Sequence, residues 1–336
     1  MSARVGAERI LGIAFGFRSA RVLLSAAEIG VFDALAAGPL VAQHLAAAVG
    51  LHPRAAADFL DALVALGLLT RDCADRYANS AEAVEFLQSD GPTTLVGLLD
   101  YLNGVQYDSW GRLTPALRQG RPQGDTSPAN GFDRLYDDPA AFDRFMRAMS
   151  AGIVLPARAL AERFDWARYR SFADIGCAQG RMAAEIAGRH RHLTGIGFDL
   201  PRVAATFAGH IRACGLGDRM TFQGGDFFVD PLPRVDVIVL ARILHDWDVS
   251  TRRCLLGKAF EALPAGGAAI VCEQLIDDER RVHAHALLTS LNMLLQTAAG
   301  SESTIRECAS WMLTSGFRET QVISLGGGYS ALVAIK

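Results

Sequence analysis

The sequence predicts an α/β protein in which a parallel sheet with helices on both faces follows a helical region of the winged-helix kind. From Tyr169 onward, short apolar runs of strand length alternate with helical stretches, which is typical of a parallel sheet. In the first third of the chain, apolar residues instead recur at helical spacings. Near the C-terminal end, two runs flank the glycine turn Gly326–Gly328 and predict an antiparallel hairpin at the sheet edge.

Short apolar runs bounded by turn residues define the predicted strands of the parallel sheet. These strands are Phe172–Ile175, Leu193–Phe198, Met220–Phe222, Val235–Leu240 and Ala268–Cys272. The predicted helices of this region are Met182–Arg189, Val203–Cys214, Thr251–Leu263 and His283–Thr297. The closing hairpin is predicted over Glu319–Ser324 and Tyr329–Ile335. Helices of this length between strands are the usual crossover connections of a parallel sheet.

The first hundred residues predict helices followed by a small hairpin. Apolar spacing indicates the helices Ile10–Leu24, Ala42–Val49 and Ala55–Leu69. Pro53 opens the third helix and Gly67 lies near its end, as expected for a proline and a glycine at helix termini. Helix, turn, helix and hairpin together give the outline of a winged helix.

The charge of this region argues against DNA binding. Residues 1–100 contain seven arginines, no lysine and eleven acidic residues, and the third helix carries Asp58 and Asp61. A domain that reads DNA needs a basic surface. We therefore interpret the region as a scaffold or dimerisation module.

Composition limits the class of protein further. The chain has 336 residues, a net charge of -3 and 50% hydrophobic residues, so it can build a large core but has no strong attraction for nucleic acid or anionic membranes. Its six cysteines are scattered without a C-x-x-C pair, which favours reduced cytosolic thiols over disulfides or a zinc site. Charges interrupt the apolar N-terminus, so we expect an amphipathic helix rather than a signal peptide or membrane span, and a cytoplasmic protein.

Three regions are predicted: a winged-helix-like domain at 1–100, a helical connector at 101–165 and the sheet domain at 166–336. The connector contains a turn-rich break at Gly120–Gly131. Aromatic residues lie in or around this break: Trp110, Phe132, Tyr136, Phe142 and Phe145. At helical spacing, such residues are more often core than ligand contacts.

The first predicted strand runs into the glycine turn DIGCAQG, with Asp174, Gly176 and Gly180. Such a turn lets backbone N–H groups approach a ligand closely. It matches neither the G-x-G-x-x-G dinucleotide fingerprint nor a phosphate-binding P-loop. Taken alone, simple strand–turn–helix packing explains it equally well.

The ends of the next strands strengthen the case for a ligand. Asp199 follows the second strand, nineteen residues after Gly180, where a carboxylate accepts ribose hydroxyl groups. Asp226 follows the third strand and suits an adenine amino group, with Phe227 beside it to cover the ring. His245 follows the fourth strand. Since parallel strands end at one edge, these residues meet there, and a ribose and adenine site without a pyrophosphate loop indicates S-adenosylmethionine.

At this point the sequence resembles a known family. The motifs DIGCAQG, FDLP, GGDFF, ILHDWD, LPAGG and VCEQ are similar, in order, to those of class I methyltransferases of the caffeate/flavonoid O-methyltransferase-like type. The N-terminal block AEIGVFDALAAGPL resembles the family's dimerisation domain, so the resemblance spans nearly the whole chain. It is closest to bacterial natural-product enzymes that methylate hydroxylated aromatics, including hydroxynaphthoates. It implies a Rossmann-like, seven-stranded methyltransferase sheet, S-adenosylmethionine as cofactor and a homodimer.

The resemblance also implies roles for individual residues. His245 corresponds to the general base, and Glu273 and Glu302 to the two acids that flank and orient it. Cofactor contacts are expected from Asp174, Gly176, Asp199, Leu200, Asp226, Phe227 and Arg242. The acceptor pocket is expected to involve Trp110, Phe145, Met146, Met149, Asn292 and Met293.

Two departures from the family pattern affect these expectations. Ala178 stands where many members have a glycine, and we expect cofactor binding to survive this change. Ala241 stands where plant members have a lysine. The neighbouring Arg242 is therefore expected to serve the carboxylate or adenine side of the cofactor.

A phenol with a pKa of about 10 is mostly protonated at neutral pH, so methylation of its oxygen needs a base. His245, with an ordinary histidine pKa of about 6.5, suits that role. A carboxylated acceptor would in addition need a cation. Arg18 or Arg21 of the N-terminal helix could supply it if that helix covers the active site of a partner subunit.

Two other functions remain open from the sequence. The first is metal-dependent C-methylation of an α-keto acid, with His245 and Asp246 as ligands and a third ligand from His283, His285 or the neighbourhood of Gln296. A metal site usually needs three good donors, so no metal is predicted. The second is a non-catalytic regulator, which would be expected to lack the base or the ribose acid.

Overall fold

The computed structural model describes residues 6–123 and 138–336, and its chain divides into two compact units, one ending at Gln106 and one beginning at Tyr107. The predicted connector at 101–165 straddles this division. Part of the predicted turn-rich break, together with Phe132 and Tyr136, lies outside the described residues.

The N-terminal unit consists of six α-helices, a short π-helical segment and a small sheet within the described residues. The helices are α1 (Glu8–Glu28), α2 (Val31–Ala34), α3 (Ala42–Ala48), α4 (Pro53–Ala65), α5 (Ala81–Phe86) and α6 (Val96–Tyr101), followed by the π-helical Leu102–Gln106. The strands are β1 (Leu40–Val41), β2 (Leu69–Arg71) and β3 (Arg76–Asn79). The central strand β3 pairs antiparallel with both neighbours, which confirms the predicted order of helix, turn, helix and hairpin.

Helix α4 shows why the sequence folds locally as predicted. The His52 side chain accepts a hydrogen bond from the Arg54 N–H at the N-terminus of α4, and Gly67 ends the helix with a left-handed φ of 76°. Asp61, on the same helix, accepts hydrogen bonds from Arg71 at 2.8 Å and from the Tyr77 hydroxyl at 2.7 Å. This acidic residue therefore ties α4 to the hairpin.

Helix α1 is long and apolar. In the described residues, it is the one helix whose length and composition would allow it to cross a membrane: an 18-residue window of α1 has a mean hydropathy of 1.4, and 11% of that window is buried. This criterion uses length and composition alone, so an amphipathic helix rather than a membrane span stays our prediction. Large apolar side chains of α1 are exposed: Ile10, Leu11, Ile13, Phe15 and Phe17.

The C-terminal unit begins with helices and continues into the sheet. Its helices are α7 (Tyr107–Trp110), α8 (Leu113–Gln119), α9 (Pro139–Arg163), α10 (Arg181–Arg189), α11 (Ala204–Ala213), α12 (Val249–Ala262), α13 (Ala284–Gln296) and α14 (Ile305–Thr314). Its strands are β4 (Ser171–Ile175), β5 (Thr194–Asp199), β6 (Met220–Gly224), β7 (Val237–Ala241), β8 (Ala268–Glu273), β9 (Glu319–Gly326) and β10 (Tyr329–Ile335).

The seven strands form one sheet in the order β6-β5-β4-β7-β8-β10-β9. Strands β4 to β8 are parallel, whereas β10 pairs antiparallel with both β8 and β9. This arrangement confirms the predicted parallel sheet and its antiparallel hairpin. The predicted strand at 235 starts two residues later, at Val237. The Asp236 carboxylate just before it accepts the N–H groups of Arg170 and Ser171.

Helices cover both faces of the sheet and create two hydrophobic cores. Phe172 and Val239 pack into the first core with α9, α10 and α11, whereas Ala173 and Leu240 pack into the second with α12 and α14. Successive strand residues point to opposite faces, so a strand covered on both sides is apolar at nearly every position. This explains why the strands appear as unbroken apolar runs.

We expect Gly197→Ala in β5 to destabilise the protein by about 1–3 kcal/mol through overpacking. An added Cβ would lie 2.2 Å from the Phe207 ring and 2.9 Å from the Cys177 sulfur, and Phe207 is fully buried and has no room to move. Gly209→Ala in α11 is the matched control, because its added Cβ meets nothing within 4 Å. Chemical denaturation should show a loss for the first variant and a gain of about 0.5–1 kcal/mol for the second. Wild-type stability of Gly197→Ala would contradict this packing.

Candidate active site

Five parallel strands end at the same edge of the sheet, and each is followed by a polar residue or a tight turn. Strand β4 leads to Gly176, β5 ends at Asp199 and β6 is followed by Asp226. Strand β7 leads to the 3-10 turn Leu244–Asp246, which carries His245, and β8 ends at Glu273. The structure thus brings together the strand-end residues that the sequence placed at one edge.

The loop after β4 requires glycine at two positions. Gly176 and Gly180 have left-handed φ angles of 67° and 80°. A Cβ at Gly176 would lie 2.3 Å from Ile243 Cδ1, and one at Gly180 would lie 2.6 Å from the Phe207 ring. Both glycines are therefore fixed by conformation and by close packing.

The Asp199 carboxylate holds this loop in place by accepting hydrogen bonds from backbone N–H groups. One carboxylate oxygen accepts the N–H of Ala178 at 2.8 Å, and the other accepts the N–H of Leu200 at 2.8 Å. Ala178 adopts a φ of 48°, an uncommon conformation for a residue with a side chain, at the position where the family pattern has glycine. Each Asp199 oxygen keeps a second lone pair, which leaves room for the two hydroxyl groups of a ribose. Burial raises the pKa of Asp199, although the two N–H groups oppose this effect.

Asp174 provides a second acceptor beneath the loop. Its side chain is 2% exposed, and its Oδ2 atom has no hydrogen-bond partner among the described residues. Burial raises the pKa of Asp174 to about 7. A buried, unpaired acceptor is unfavourable in the ligand-free protein and is the kind of group that a polar ligand satisfies.

The loop after β6 presents Asp226 and Phe227 side by side. Asp226 is half-buried, and its Oδ1 accepts the N–H of Phe228 at 2.8 Å. The Phe227 ring packs edge-on against Trp247 at 6.1 Å, and Lys258 donates a hydrogen bond to the Phe227 carbonyl. Together with Asp174 and Asp199, this pair fits an adenine nucleoside that lies across the strand ends. The residues present are therefore compatible with S-adenosylmethionine.

His245 lies at the centre of a buried group of carboxylates. It is 4% exposed, and its Nδ1 contacts Glu302 Oε1 at 2.7 Å. Its backbone N–H donates to Glu273 Oε1 at 3.0 Å. Asp246 Oδ1 lies 3.6 Å from Nε2. Because a carboxylate accepts but does not donate, Nδ1 carries a proton, and Nε2 is the nitrogen available to a substrate.

These surroundings make His245 unusually basic. Burial alone would lower the pKa of His245, but the charges of Glu302 and Asp246 and the hydrogen bond that Nδ1 donates to Glu302 raise it to about 9. Burial raises the pKa of Glu273 to about 7, and His245 opposes that rise. Both acids predicted to flank the histidine contact it, Glu302 at the ring and Glu273 at the backbone N–H, and their orienting roles stay predictions.

Other residues hold this group in place, and no sequence pattern indicated them. The Ser301 N–H donates to the His245 carbonyl at 2.8 Å, and Ser290 Oγ accepts the Glu302 N–H at 3.1 Å. The buried guanidinium of Arg252 donates to the carbonyls of Trp247 and Ser301. An isolated serine or arginine in a helical stretch has no spacing pattern that could reveal such a role.

Arg242 has a left-handed φ of 56°, and its N–H donates to the Cys272 carbonyl at 3.1 Å. Its charge lowers the pKa of Asp246 and that of Tyr329, although burial raises both values overall. The guanidinium is thus close to the aspartate next to His245 and to the first residue of β10. Tyr329 is a further residue of this region that sequence reasoning missed.

The residues predicted to line the acceptor pocket lie on α7, α9 and α13. Trp110 Nε1 donates to Asn292 Oδ1 at 3.1 Å. On α9, Phe145 and Met149 are half-buried, one helical turn apart. The remaining two predicted residues, Met146 and Met293, are buried with exposures of 1% and 5%.

Arg18 and Arg21 belong to α1 in the N-terminal unit. The guanidinium of Arg18 lies 4.3 Å from the centre of the Phe15 ring. Arg21 forms an ion pair with Glu28 at 3.8 Å and a hydrogen bond with Asn103. A contact of either arginine with an acceptor remains a prediction.

The residues considered for a metal are not gathered into one site. In the described part of the chain, no group of three or more His, Cys, Asp or Glu residues could hold a metal ion. The His283 ring is hydrogen-bonded to the Leu275 carbonyl, and Gln296 Nε2 donates to Ser109 Oγ. The geometry therefore gives no support to the metal-dependent alternative.

The fold and this edge of the sheet define a nucleoside-binding α/β transferase, and comparison with known proteins specifies it. The profile of the O-methyltransferase domain matches residues 110–318, and that of the O-methyltransferase dimerisation domain matches residues 11–89. The chain belongs to this O-methyltransferase family, whose members use S-adenosylmethionine.

Individual relatives agree with this assignment. The tetracenomycin polyketide synthesis 8-O-methyl transferase TcmO of Streptomyces glaucescens is 41% identical over 95% of this chain and 93% of its own length. The N,N-dimethyltransferase OxyT of Streptomyces rimosus is 38% identical over 98% and 96%. The 3-hydroxy-5-methyl-1-naphthoate 3-O-methyltransferase of Streptomyces sahachiroi is 34% identical over 96% and 93%.

A solved structure shows the same fold. The crystal structure of human N-acetylserotonin methyltransferase in complex with S-adenosylmethionine has a TM-score of 0.91 and 32% identity, and it covers 100% of this chain and 99% of its own. The predicted resemblance, fold class and cofactor are thereby confirmed. The roles of individual site residues remain predictions.

We expect Asp199→Asn to weaken binding of S-adenosylhomocysteine by about 10- to 100-fold, the loss typical of a hydrogen bond to a charged group. The amide NH2 would face one of the two N–H donors that the carboxylate now accepts. Asp218→Asn, at an exposed position after α11, is the control. Calorimetric titration measures the affinity of both variants for S-adenosylhomocysteine. Equal affinity would mean that Asp199 does not contact the cofactor.

Proposed function

We propose that this chain transfers a methyl group from S-adenosylmethionine to a phenolic hydroxyl of a small aromatic natural-product intermediate, including carboxylated, naphthoate-like acceptors, with His245 as the general base. The observation that carries the proposal is the buried His245–Glu302 pair at the same edge of the sheet as Asp199. TcmO is named for 8-O-methylation in tetracenomycin polyketide synthesis, and the Streptomyces sahachiroi enzyme for 3-O-methylation of a hydroxynaphthoate, which supports this acceptor class.

Each part of the site has a distinct task in this proposal. The cofactor supplies a methyl group that its sulfonium already activates. Asp199 and Asp226 hold the nucleoside, and the Gly176 turn lets the backbone approach it. His245 Nε2 takes the proton from the acceptor hydroxyl, while Glu302 keeps Nδ1 protonated and stabilises the imidazolium. Glu273 fixes the backbone of His245.

The raised pKa of His245 suits a phenol. A base with a pKa of about 9 differs from a phenol, with a pKa of about 10, by about one, whereas an ordinary histidine differs by more than three. Proton transfer to His245 is therefore nearly balanced in free energy. The same shift leaves the imidazole of the free enzyme mostly protonated at pH 7, so turnover should rise with pH.

We further propose that α1 and the rest of residues 11–89 mediate homodimerisation. The match to the dimerisation domain supports this, and a second chain would cover the exposed apolar side chains of α1. Burial in a dimer also accounts for the high hydropathy of α1 without a membrane. A cytoplasmic location, and Arg18 as a contact for a carboxylated acceptor, stay predictions.

We expect His245→Ala to lower kcat for a phenolic acceptor by about 10²- to 10⁴-fold, the usual contribution of a general base. Binding of S-adenosylhomocysteine should change little, because no predicted nucleoside contact is removed. His285→Ala, at an exposed position on α13, is the control. It also tests one of the residues that were considered as metal ligands in the alternative function. Methyl transfer from labelled cofactor to a panel of phenols and amines measures the outcome. Full activity of His245→Ala on every acceptor would refute the base, and exclusive methylation of amines would refute the phenolic acceptor.

We expect Glu302→Gln to move the pH profile of kcat/KM to lower pH. The base must be unprotonated to act, so wild-type kcat/KM should rise with pH and level off above the His245 pKa of about 9. Removing the Glu302 charge removes a cause of the raised pKa, so the plateau should begin at lower pH, with a lower maximum because the imidazolium is less stabilised. Both profiles are measured with the same acceptor, so ionisation of the acceptor affects them equally and does not change the difference between them. An unmoved profile would mean that Glu302 does not control the base.

A further inference from the structure

Arg252 is a buried arginine near the start of α12, and it is only 2% exposed. Its Nε donates to the Trp247 carbonyl at 2.8 Å, and its Nη2 donates to the Ser301 carbonyl at 2.6 Å and to Ser301 Oγ at 3.0 Å. The guanidinium carbon lies 5.4 Å from the centre of the Trp311 ring on α14. A planar head with donors on two sides suits this arrangement, whereas the single ammonium of a lysine does not.

The two segments that this guanidinium joins carry the two members of the buried pair. One bonded carbonyl lies two residues after His245, and the other belongs to the residue before Glu302. The segments also meet at their backbones, because the Ser301 N–H donates to the His245 carbonyl at 2.8 Å. A Cβ on Gly300 would lie 2.5 Å from that carbonyl oxygen. The side chain of Arg252 therefore adds a second bridge beside the contact of His245 with Glu302.

The positive charge of Arg252 has no direct counter-ion. Among the described residues, Arg252 forms no ion pair with a carboxylate, and its bonds go to carbonyls and a hydroxyl. A buried charge is costly unless other groups compensate it. Burial raises the pKa of Asp246 and that of Glu273, and the charge of Arg252 opposes both rises. Arg252 thus combines a bridge between two segments with a charge that favours the ionised acids around His245.

Several elements contribute ionisable groups to the surroundings of His245. The charges of Glu302, Asp246 and Glu273 raise its pKa against the effect of burial, and Glu302 has the largest influence of the three. Further ionisable side chains act on these acids: Arg242 after β7, Arg252 of α12, Cys308 of α14 and Tyr329 of β10. Helix α13 packs against the turn Leu244–Asp246, and its one ionisable side chain, His285, is exposed. The position of Glu302 is therefore the main control on the imidazole.

We propose that Arg252 is a positioning residue, which holds the segment of Glu302 against the turn of His245 so that the carboxylate meets Nδ1 and Nε2 stays available to the acceptor. Arg252 touches neither cofactor nor acceptor in this role. Without it, two buried carbonyls would lose their donor and the two segments would lose their side-chain bridge. The proposal rests on the proposed function for the role of His245 as the base.

The first test is Arg252→Met, which keeps a long apolar side chain but removes the charge and the donors. We expect the plateau of kcat/KM to fall about 10-fold and the profile to move to lower pH, because a displaced Glu302 no longer raises the pKa of His245. Loss of a positive charge alone would favour protonation of the imidazole and move the profile to higher pH. An unmoved profile, or a shift to higher pH, would overturn the proposal.

Arg253→Met is the matched control, because it removes the same charge from the next, exposed position of α12. We expect it to leave the plateau and the pH profile unchanged. Binding of S-adenosylhomocysteine should change by less than about threefold in both variants, since neither residue is a predicted nucleoside contact. A weaker affinity in Arg252→Met alone would mean that Arg252 supports the cofactor site, which contradicts the proposed role.

Arg252→Lys keeps the charge and serves as the second variant where Arg252→Met does not fold. One ammonium group cannot bridge both carbonyls with the geometry of the planar guanidinium. We therefore expect a smaller change in the same direction, with a plateau about threefold lower and a profile still moved to lower pH. Wild-type behaviour of Arg252→Lys would mean that the charge alone is needed and would contradict the positioning role.

A double variant distinguishes positioning from a general loss of stability. In a Glu302→Ala background, Arg252→Met should change kcat/KM by less than about twofold, because Arg252 acts through Glu302. Thermal unfolding of all variants shows how much stability each change costs. A purely structural role would lower kcat/KM by the same factor with and without Glu302, and that result would refute the proposal.

Proton NMR of the ligand-free protein separates this proposal from the proposed function. The Nδ1 proton between the His245 ring and the Glu302 carboxylate should give a far-downfield resonance that is missing in His245→Ala. We expect this resonance to shift or disappear in Arg252→Met and to stay in Arg253→Met, whether or not any phenol is methylated. If no phenol is methylated, the proposed function fails and the resonance still tests Arg252. An unchanged resonance in Arg252→Met, or none in the wild-type protein, would refute the positioning role.

Discussion

The contact between His245 Nδ1 and Glu302 is the interaction on which the rest of the site depends. Both side chains are almost fully buried, and the Glu302 carboxylate, 2.7 Å from Nδ1, is the main cause that raises the pKa of His245 against the effect of burial. The pair needs elements far apart in sequence, namely the turn after β7, the segment after α13 and the end of β8. Arg252 places a buried positive charge near these acids and ties the turn to Ser301. The pKa of one imidazole thus depends on contacts between segments of the C-terminal unit that are far apart in sequence.

The predicted nucleoside site contains groups that are unfavourable for the stability of the folded protein but suit the binding of a ligand. Burial raises the pKa values of Asp174 and Asp199, so the folded chain keeps carboxyl groups where they are poorly solvated. Ala178 adds a left-handed backbone conformation next to them. Unfavourable features of this kind persist only where the surrounding structure enforces them, and here the sheet and the Gly176 turn do so. A ligand that supplies hydroxyl and amine donors would relieve this cost.

The sequence predicted those parts of the site that follow from strand geometry. Asp199, Asp226 and His245 could be assigned to one edge because parallel strands end together, and the apolar runs located those ends to within about two residues. The contact of Trp110 with Asn292 could not be predicted, because no pattern in either helix specifies its partner. The contact of Ser290 with Glu302 likewise forms only in the folded structure and has no sequence pattern. The high average hydropathy of helix α1 could not be seen from uninterrupted apolar runs, because charges interrupt them.

These differences suggest how the site divides its tasks. The proposed nucleoside contacts and the proposed base lie at strand ends, whose positions are fixed by the hydrogen-bond ladders of β4 to β8. The residues predicted to line the acceptor pocket lie instead on α7, α9 and α13, where single side-chain hydrogen bonds such as that of Trp110 set the orientation of a polar group. Ser290 of α13 also holds Glu302, so a substitution on these helices leaves the proposed base in place only where it spares that contact. We therefore expect acceptor choice to depend on a few side-chain contacts between helices, and methyl transfer to depend mainly on the strand ends.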